Sequence, residues 1–226
     1  MTIQVALLGH PVSHSLSPRM QNAAFEALGL DWHYEAFDVE DVVAAVADLR
    51  SQGFAGANVT IPHKQAVVAA CDEADGDAVN TLIFRDRVIG VNTDREILAG
   101  VSAERACLIG AGGAALTLAP ALPDDTRVFS RRGVWPPDAS GCDLIVNATP
   151  VRDELLVQPV AVQTVVDLAY SPDGADTVLV AAARAAGCVV IDGLEALVRQ
   201  GAKSFEIWTG VAAPLEVMRT AVRSAP

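Results

Sequence analysis

Positive charge is scarce in this chain. Sixteen lysines and arginines stand against 28 aspartates and glutamates in 226 residues, a formal net charge of −12. The overall field therefore repels phosphate-bearing polymers, and affinity for a phosphate must come from a local cluster. Nucleic acid and membrane are set aside as partners. Cysteine is also sparse: Cys71, Cys107, Cys142 and Cys188 lie far apart and never form Cys-x-x-Cys. That spacing argues against a zinc site or a disulfide framework and leaves buried apolar thiols as the expectation. The four histidines, His10, His14, His33 and His63, show no metal-ligand spacing; they are expected in loops or on the surface, and no metal is expected. The longest uncharged run, Ala106 to Pro123, contains Gly110, Gly112, Gly113 and Pro120, which suit a turn better than a membrane span. No charged-then-apolar leader precedes the first apolar run. Internal repeats, low-complexity tracts and long charge runs are missing too. These absences point to a cytoplasmic protein of one large or two small domains.

What is present is an alternation of short apolar runs with helix-period segments, the pattern of an α/β fold. "QVALL" reads as a strand, and Ser17-Pro18 as the N-cap and first residue of a helix with Met20, Ala23, Ala24, Ala27 and Leu28 on its inner side. "EDVVAAVADLRSQG" reads as a helix that buries Val42, Val43, Val46 and Leu49 and stops at Gly53. "VNTLIF" and "VIGVNTD" flank a turn at Arg85-Asp86-Arg87 and predict a hairpin. After Asp94 a second unit begins: "ACLIGAGGAALTLA" is strand, glycine turn and helix, and "RVFS", "DLIVNAT", "TVVDLAY" and "CVVIDG" are further strands.

Three constellations carry chemistry. In "GHPVSHSLSP", Gly9 to Pro18, two prolines and three serines make a rigid polar loop directly after the first strand. In "NVTIPHK", Asn58 to Lys64, a strand ends on Asn and Thr and leads into a helix with Lys64 in its first turn; strand ends of this kind face the ligand crevice of open α/β sheets. Asn80 in "DAVNT" and Asp94 at the end of "GVNTD" add polar groups at further strand ends. The glycine turn Gly110, Ala111, Gly112, Gly113, Ala114 presents bare backbone N–H groups to which a pyrophosphate can come close. The next strand ends about twenty residues on, where this type of fold reads the ribose, and it carries Ser130-Arg131-Arg132 instead of an acid, which favours a 2′-phosphate.

Taken in order, "GHPVSHSLSP", "NVTIPHK", "AVNT", "GVNTD", "GAGGAA", "NAT", "DLAYSP" and "DGLEALVRQGAKSFEIWTG" resemble the shikimate dehydrogenase family over most of the chain. The resemblance implies an α/β substrate-binding and catalytic domain from residues 1–94 and 194–226, with the C-terminal helices returning to it. It also implies a Rossmann-like parallel-sheet domain for NADP over 95–193. It implies an NADP-dependent oxidoreductase of the aromatic amino acid (chorismate) pathway that interconverts 3-dehydroshikimate and shikimate. By the same resemblance Ser15 and Ser17 hold the substrate carboxylate, and Thr60, Asn80, Asp94, Tyr170 and Gln200 bind its ring and hydroxyls. Lys64 is the acid/base with Asp94 as its partner, because a hydride delivered to a ketone leaves an alkoxide that must be protonated. Gly110 to Ala114, Ser130, Arg131, Asn147, Thr149, Leu168 and Gly193 are implied for the cofactor. One departure concerns the nucleotide half: between "RVFS" and "NAT" the chain offers only Gly133 to Gly141 around Pro136-Pro137, too little for the family's usual crossover helix, so this domain is expected to be trimmed. Two alternatives stay open, a quinate-type paralogue using NAD and a degenerate ligand-binding homologue of low turnover. Monomer and homodimer are equally open.

Overall fold

The computed structural model describes residues 1–171 and 173–224. They divide into two compact units, one formed by Met1–Glu96 with Val198–Ser224 and the other by Ile97–Leu197. No helix among the described residues is long and apolar enough to cross a membrane.

The first unit is built on a mixed sheet of six strands: β1 (Ile3–Gly9), β2 (Trp32–Asp38), β3 (Gly56–Val59), β4 (Glu73–Ala74), β5 (Thr81–Phe84) and β6 (Val88–Val91), in the order β2-β1-β3-β5-β6-β4. Strand β1 pairs in parallel with both β2 and β3, while β5 runs antiparallel to β3 and β6. Because side chains alternate across a strand, Ala6 and Leu8 join one cluster with Val42, Val46 and Leu49 of helix α2 (Val42–Ser51). Val5 and Leu7 are equally buried, so β1 is covered on both faces and reads as a continuous apolar run. Asp41 caps α2 by accepting the Val43 and Ala44 N–H groups, each at 3.0 Å. Gly53 ends the segment with φ of +82°, a region that favours glycine. Helix α1 (Ser17–Ala27) packs its Phe25 against Phe205, ring centroids 5.2 Å apart.

Several local expectations are corrected here. Leu16, not Ser17, is the N-cap of α1, since the Leu16 carbonyl accepts the first helical bond from Met20 at 3.0 Å. Its inner face is Ser17, Met20, Gln21, Ala24 and Phe25, which leaves Ala27 and Leu28 exposed. Val43 also faces solvent, because the buried stripe of α2 follows Val42, Val46 and Leu49 at helical spacing. Lys64 does not lie in a first helical turn. Its carbonyl accepts the Val79 N–H at 2.9 Å instead of continuing a helix, and the helical segment that follows is a five-residue 3₁₀ turn, Ala66–Ala70. His63 is buried, its Nε2 held at 2.7 Å from the Val39 carbonyl.

The second unit holds β7 (Arg105–Ile109), β8 (Asp125–Phe129), β9 (Leu144–Asn147), β10 (Thr164–Asp167) and β11 (Val189–Ile191) in the order β11-β10-β9-β7-β8, with every pair parallel. Strand β7 alternates between two cores, Ala106 and Leu108 on one face and Cys107 and Ile109 on the other. Helix α3 (Gly113–Leu118) follows β7, and helix α4 (Val178–Ala185), which the sequence reading passed over, connects β10 to β11. Between β8 and β9 no residue is helical, so the trimmed crossover is a property of the fold. Since β8 lies on one side of β7 and β9 on the other, the order reverses at the C-terminal end of β7, where α/β sheets of this kind take their ligands. Helix α5 (Gly193–Thr209) crosses the boundary between the units along the chain, and α6 (Leu215–Arg223) closes the first unit with Met218 and Val222 buried.

Candidate active site

The mixed sheet brings its polar strand ends together. Strands β1 and β3 are parallel neighbours in register Leu8 to Val59, so Gly9 and Thr60 leave the sheet side by side. A Cβ on Gly9 would stand 2.5 Å from the Thr60 methyl, which is why glycine fits there. Strand β5 begins with Thr81 opposite Asn58, and β6 ends with Val91 opposite Thr81. Asn80 and Asp94 are thereby delivered to the same edge as Lys64.

These three side chains form a bonded cluster. The Lys64 Nζ donates to Asp94 Oδ2 at 2.5 Å, and Asn80 Nδ2 donates to Asp94 Oδ1 at 2.7 Å. The Lys64 and Asp94 side chains are only 13% and 7% exposed, so each charge depends on the other for compensation that water does not provide. The cluster is fixed from behind. Asn80 Oδ1 accepts the Thr93 N–H at 2.9 Å, and Asn92 Oδ1 accepts the Asp94 N–H at 2.9 Å. A buried layer continues inward: Tyr34 OH donates to Asn58 Oδ1 at 2.8 Å, and Asn58 Nδ2 donates to Thr81 Oγ1 at 3.0 Å and to Ser204 Oγ at 2.9 Å. The Ser204 hydroxyl lies on α5 and donates to the carbonyl of Gln200 at 3.2 Å, so the same layer reaches the helix turn that carries Gln200.

The serine loop is tied to the sheet independently. The Ser15 hydroxyl accepts the Ser17 N–H at 3.2 Å. His10 Nδ1 stands 2.5 Å from Asp38 Oδ1 at the end of β2, and the Val12 N–H donates to Asp38 Oδ2 at 3.3 Å. The bond to Asp38 raises the pKa of His10, and the bond from His10 lowers that of Asp38. Both groups are exposed, so their effect is on loop geometry more than on stability.

In the second unit the glycine turn follows β7. Gly110 has φ of +126°, and a Cβ there would meet the Ala148 carbonyl oxygen at 2.9 Å. Beyond its immediate chain neighbours, no heavy atom comes within 4 Å of a Cβ placed on Gly112. The turn is thus close-packed on its inner side and open on its outer side, a fit for a dinucleotide diphosphate. Gly193 is equally constrained, its Cβ position lying 2.4 Å from the Ala169 carbonyl oxygen. Asn147 is fully buried. Its Nδ2 donates to Asp167 Oδ1 at 2.9 Å, and its Oδ1 accepts the Thr149 N–H at 3.0 Å and hydroxyl at 2.7 Å. It shapes the loop after β9 and offers no free group to a ligand. Burial pushes Asp167 up, against bonds from Thr177, the Ala169 N–H and Asn147. Ser130 and Arg131 stand just past β8, with Arg131 exposed, and Leu168 and Tyr170 follow β10.

Residues 7–82 match the shikimate dehydrogenase substrate binding domain, and residues 193–223 match the shikimate 5′-dehydrogenase C-terminal domain. The shikimate dehydrogenase (NADP(+)) of Moorella thermoacetica is 38% identical over 98% of this chain and 92% of its own. The chain belongs to the shikimate dehydrogenase family. The Methanopyrus kandleri shikimate dehydrogenase (NADP(+)) is 39% identical over 96% and 94% of the two chains. The Thermus thermophilus shikimate 5-dehydrogenase, solved in complex with NADP(H) and shikimate, superposes with a TM-score of 0.84 at 34% identity, covering 98% of this chain and 99% of that one. The Moorella alignment runs to 275 positions, more than the 226 residues present here, so it is made across gaps in this chain.

For a member of this family, sequence reasoning brought Lys64, Asn80 and Asp94 to one place. It did not anticipate Tyr34, Thr93 or Ser204, which support them. Tyr34 and Ser204 sit inside apolar periodic segments, where a lone polar residue looks like any other; only the shared partner Asn58 relates them, and that relation is tertiary. Glu154, which pairs with Arg131, was likewise passed over because it falls in an irregular loop.

Proposed function

We propose that this chain is an NADP-dependent shikimate dehydrogenase that reduces 3-dehydroshikimate to shikimate and runs the reverse reaction. The observation that carries this reading is the Lys64, Asp94 and Asn80 cluster at the strand ends of the mixed sheet in a chain of this family. Ser15 and Ser17 bind the substrate carboxylate through their hydroxyls, away from the reacting carbon. Thr60, Asn80, Gln200 and Tyr170 receive the ring hydroxyls. The Gly110 to Ala114 turn, Arg131, Thr149, Leu168 and Gly193 hold the dinucleotide, which supplies the hydride when bound.

The residues of the first unit handle the proton. As hydride reaches the ketone carbon, negative charge develops on its oxygen, and the Lys64 ammonium gives that oxygen a proton. Asp94, fixed by Asn80 and by its own N–H bond to Asn92, keeps the Lys64 Nζ in place as the proton leaves, and in the reverse direction it favours the return of the proton to the amine. The four free thiols, with Cys107 pushed up to about 12 by burial, suit a reducing compartment, and we place the enzyme in the cytoplasm.

Steady-state assays with shikimate and with quinate, each with NADP and with NAD, test this reading. The shikimate and NADP pair is expected to give the highest specificity constant. A higher value with quinate would transfer the reading to a quinate dehydrogenase. Absence of turnover with all four pairs would leave a ligand-binding homologue.

A further inference from the structure

The segment after β8 folds back on itself. The Ser130 N–H donates to the Val134 carbonyl at 3.1 Å, and the Gly133 N–H donates to the Ser130 carbonyl at 2.9 Å. This turn carries Trp135 over Arg131, whose guanidinium carbon stands 5.3 Å from the ring centroid, a distance at which a cation is attracted to the aromatic face. One edge of the same guanidinium is engaged as well: Arg131 Nη2 donates to Glu154 Oε2 at 2.7 Å. The cation that stands where the fold reads the ribose therefore already has an aromatic platform and a carboxylate. No helix follows this strand end, and the loop after β9 supplies the carboxylate of Glu154 to it.

From this arrangement we infer that Glu154 is a specificity-determining residue for the dinucleotide, a counter-charge that competes with the 2′-phosphate for Arg131. The inference rests on the reading of this chain as a shikimate dehydrogenase. A 2′-phosphate carries between one and two negative charges at neutral pH, and to reach Arg131 it must come close to the Glu154 carboxylate or displace it. Either event weakens binding of the phosphorylated cofactor. A free ribose 2′-hydroxyl meets no such repulsion and can donate to the carboxylate, as it does to the acid that ends the second strand of NAD-binding folds. Glu154 thus narrows the discrimination that Arg131 creates.

Arg131 and Glu154 are 61% and 54% exposed, so neutralising either should leave the fold intact. Two measurements test the proposal in the parent, Glu154→Gln and Arg131→Ala. The first is the calorimetric Kd of two cofactor fragments, adenosine 2′,5′-bisphosphate and adenosine 5′-monophosphate; the second is the ratio of kcat/KM for NADPH and NADH. Glu154→Gln should tighten the bisphosphate by about threefold to tenfold, the scale of one exposed charge acting on a multiply charged group, leave the monophosphate no tighter, and raise the kinetic ratio by a similar factor. Arg131→Ala should weaken the bisphosphate. Unchanged bisphosphate affinity in Glu154→Gln, with a loss in Arg131→Ala, would overturn the role of Glu154 while leaving the enzyme's identity intact. An undiminished bisphosphate affinity in Arg131→Ala would overturn it as well, by showing that this cation does not read the phosphate. Failure of the identity itself is read elsewhere, in the absence of shikimate turnover by the parent.

Discussion

At the scale of single residues, Lys64 has the most to do and the least freedom. Its ammonium is held at 2.5 Å from Asp94 in a site that excludes most water, so its removal takes away the proton donor with no solvent replacement of matching geometry. Lys64→Ala should lower kcat by about a hundredfold or more, the range for a lost acid/base group, with a smaller change in KM for shikimate. A kcat within a few-fold of the parent would remove Lys64 from the chemistry. His10 offers a direct electrostatic reading. The Asp38 carboxylate raises the His10 pKa above its ordinary value of 6.5, so the charged pair is present below that value and is lost as pH rises through the raised one. An NMR titration of the His10 ring should have its midpoint above 6.5 and should move down in Asp38→Asn. A midpoint that ignores this substitution would show that the two groups do not pair in solution.

At the scale of elements, strand ends decide where function can lie. The serine loop leaves β1, and Ser15→Ala should raise KM for shikimate about tenfold with little change in kcat, because a hydrogen bond to a charged group is worth about 1.5–3 kcal/mol and the carboxylate keeps its charge through the reaction. An unchanged KM in the variant lacking both Ser15 and Ser17 hydroxyls would reduce the loop to a helix start. The turn after β7 is tested by Gly110→Ala, which combines a left-handed φ with a Cβ pressed against the Ala148 carbonyl. A loss of about 1–3 kcal/mol of stability is expected, read as a lowered thermal midpoint. The sheets themselves were legible in the sequence because β1, β7, β9 and β10 are short apolar runs ended by glycine or polar residues, a signal that survives without tertiary knowledge. Helix α4 was missed because "TVLVAAARAAG" mixes β-branched and small residues, and Thr177 announces the helix only through its side-chain bond to the Val180 N–H. Lys64 was placed on a helix because Pro62 resembles a first-turn proline; the competing bond from Val79 comes from a segment fifteen residues on and cannot be read locally. Within the site, the residue types were legible and their supporting layer was not.

At the scale of the whole molecule, Ser15 and Ser17 of the proposed substrate set lie in the first unit and Arg131 of the proposed dinucleotide set lies in the second, and ligand linkage separates their effects. Shikimate at about a hundred times its Kd should stabilise the protein by about 2.7 kcal/mol, and NADP at the same multiple should do likewise. Loss of the Ser15 and Ser17 hydroxyls should shrink the thermal shift from shikimate at a fixed concentration and spare the shift from NADP; Arg131→Ala should do the reverse. A variant that lost both shifts together would mean that the residues act on the fold and not on separate ligands. The place of β8 in its sheet has one more consequence, for colloidal behaviour. Strand β8 is the outermost strand of its sheet, paired with β7 on one side only, and an open strand edge is a template on which another chain can add by backbone pairing, the first step of aggregation. This strand, "DTRVF", carries opposite charges at Asp125 and Arg127, and each is engaged: Asp125 with Arg105, and Arg127 with Asp138 and with the Ser140 carbonyl. Charge of this kind on an outermost strand discourages a second copy from docking in register. A sheet that ends on an open strand must keep that border from recruiting its own kind, and in this protein Asp125 and Arg127 are the residues that guard it.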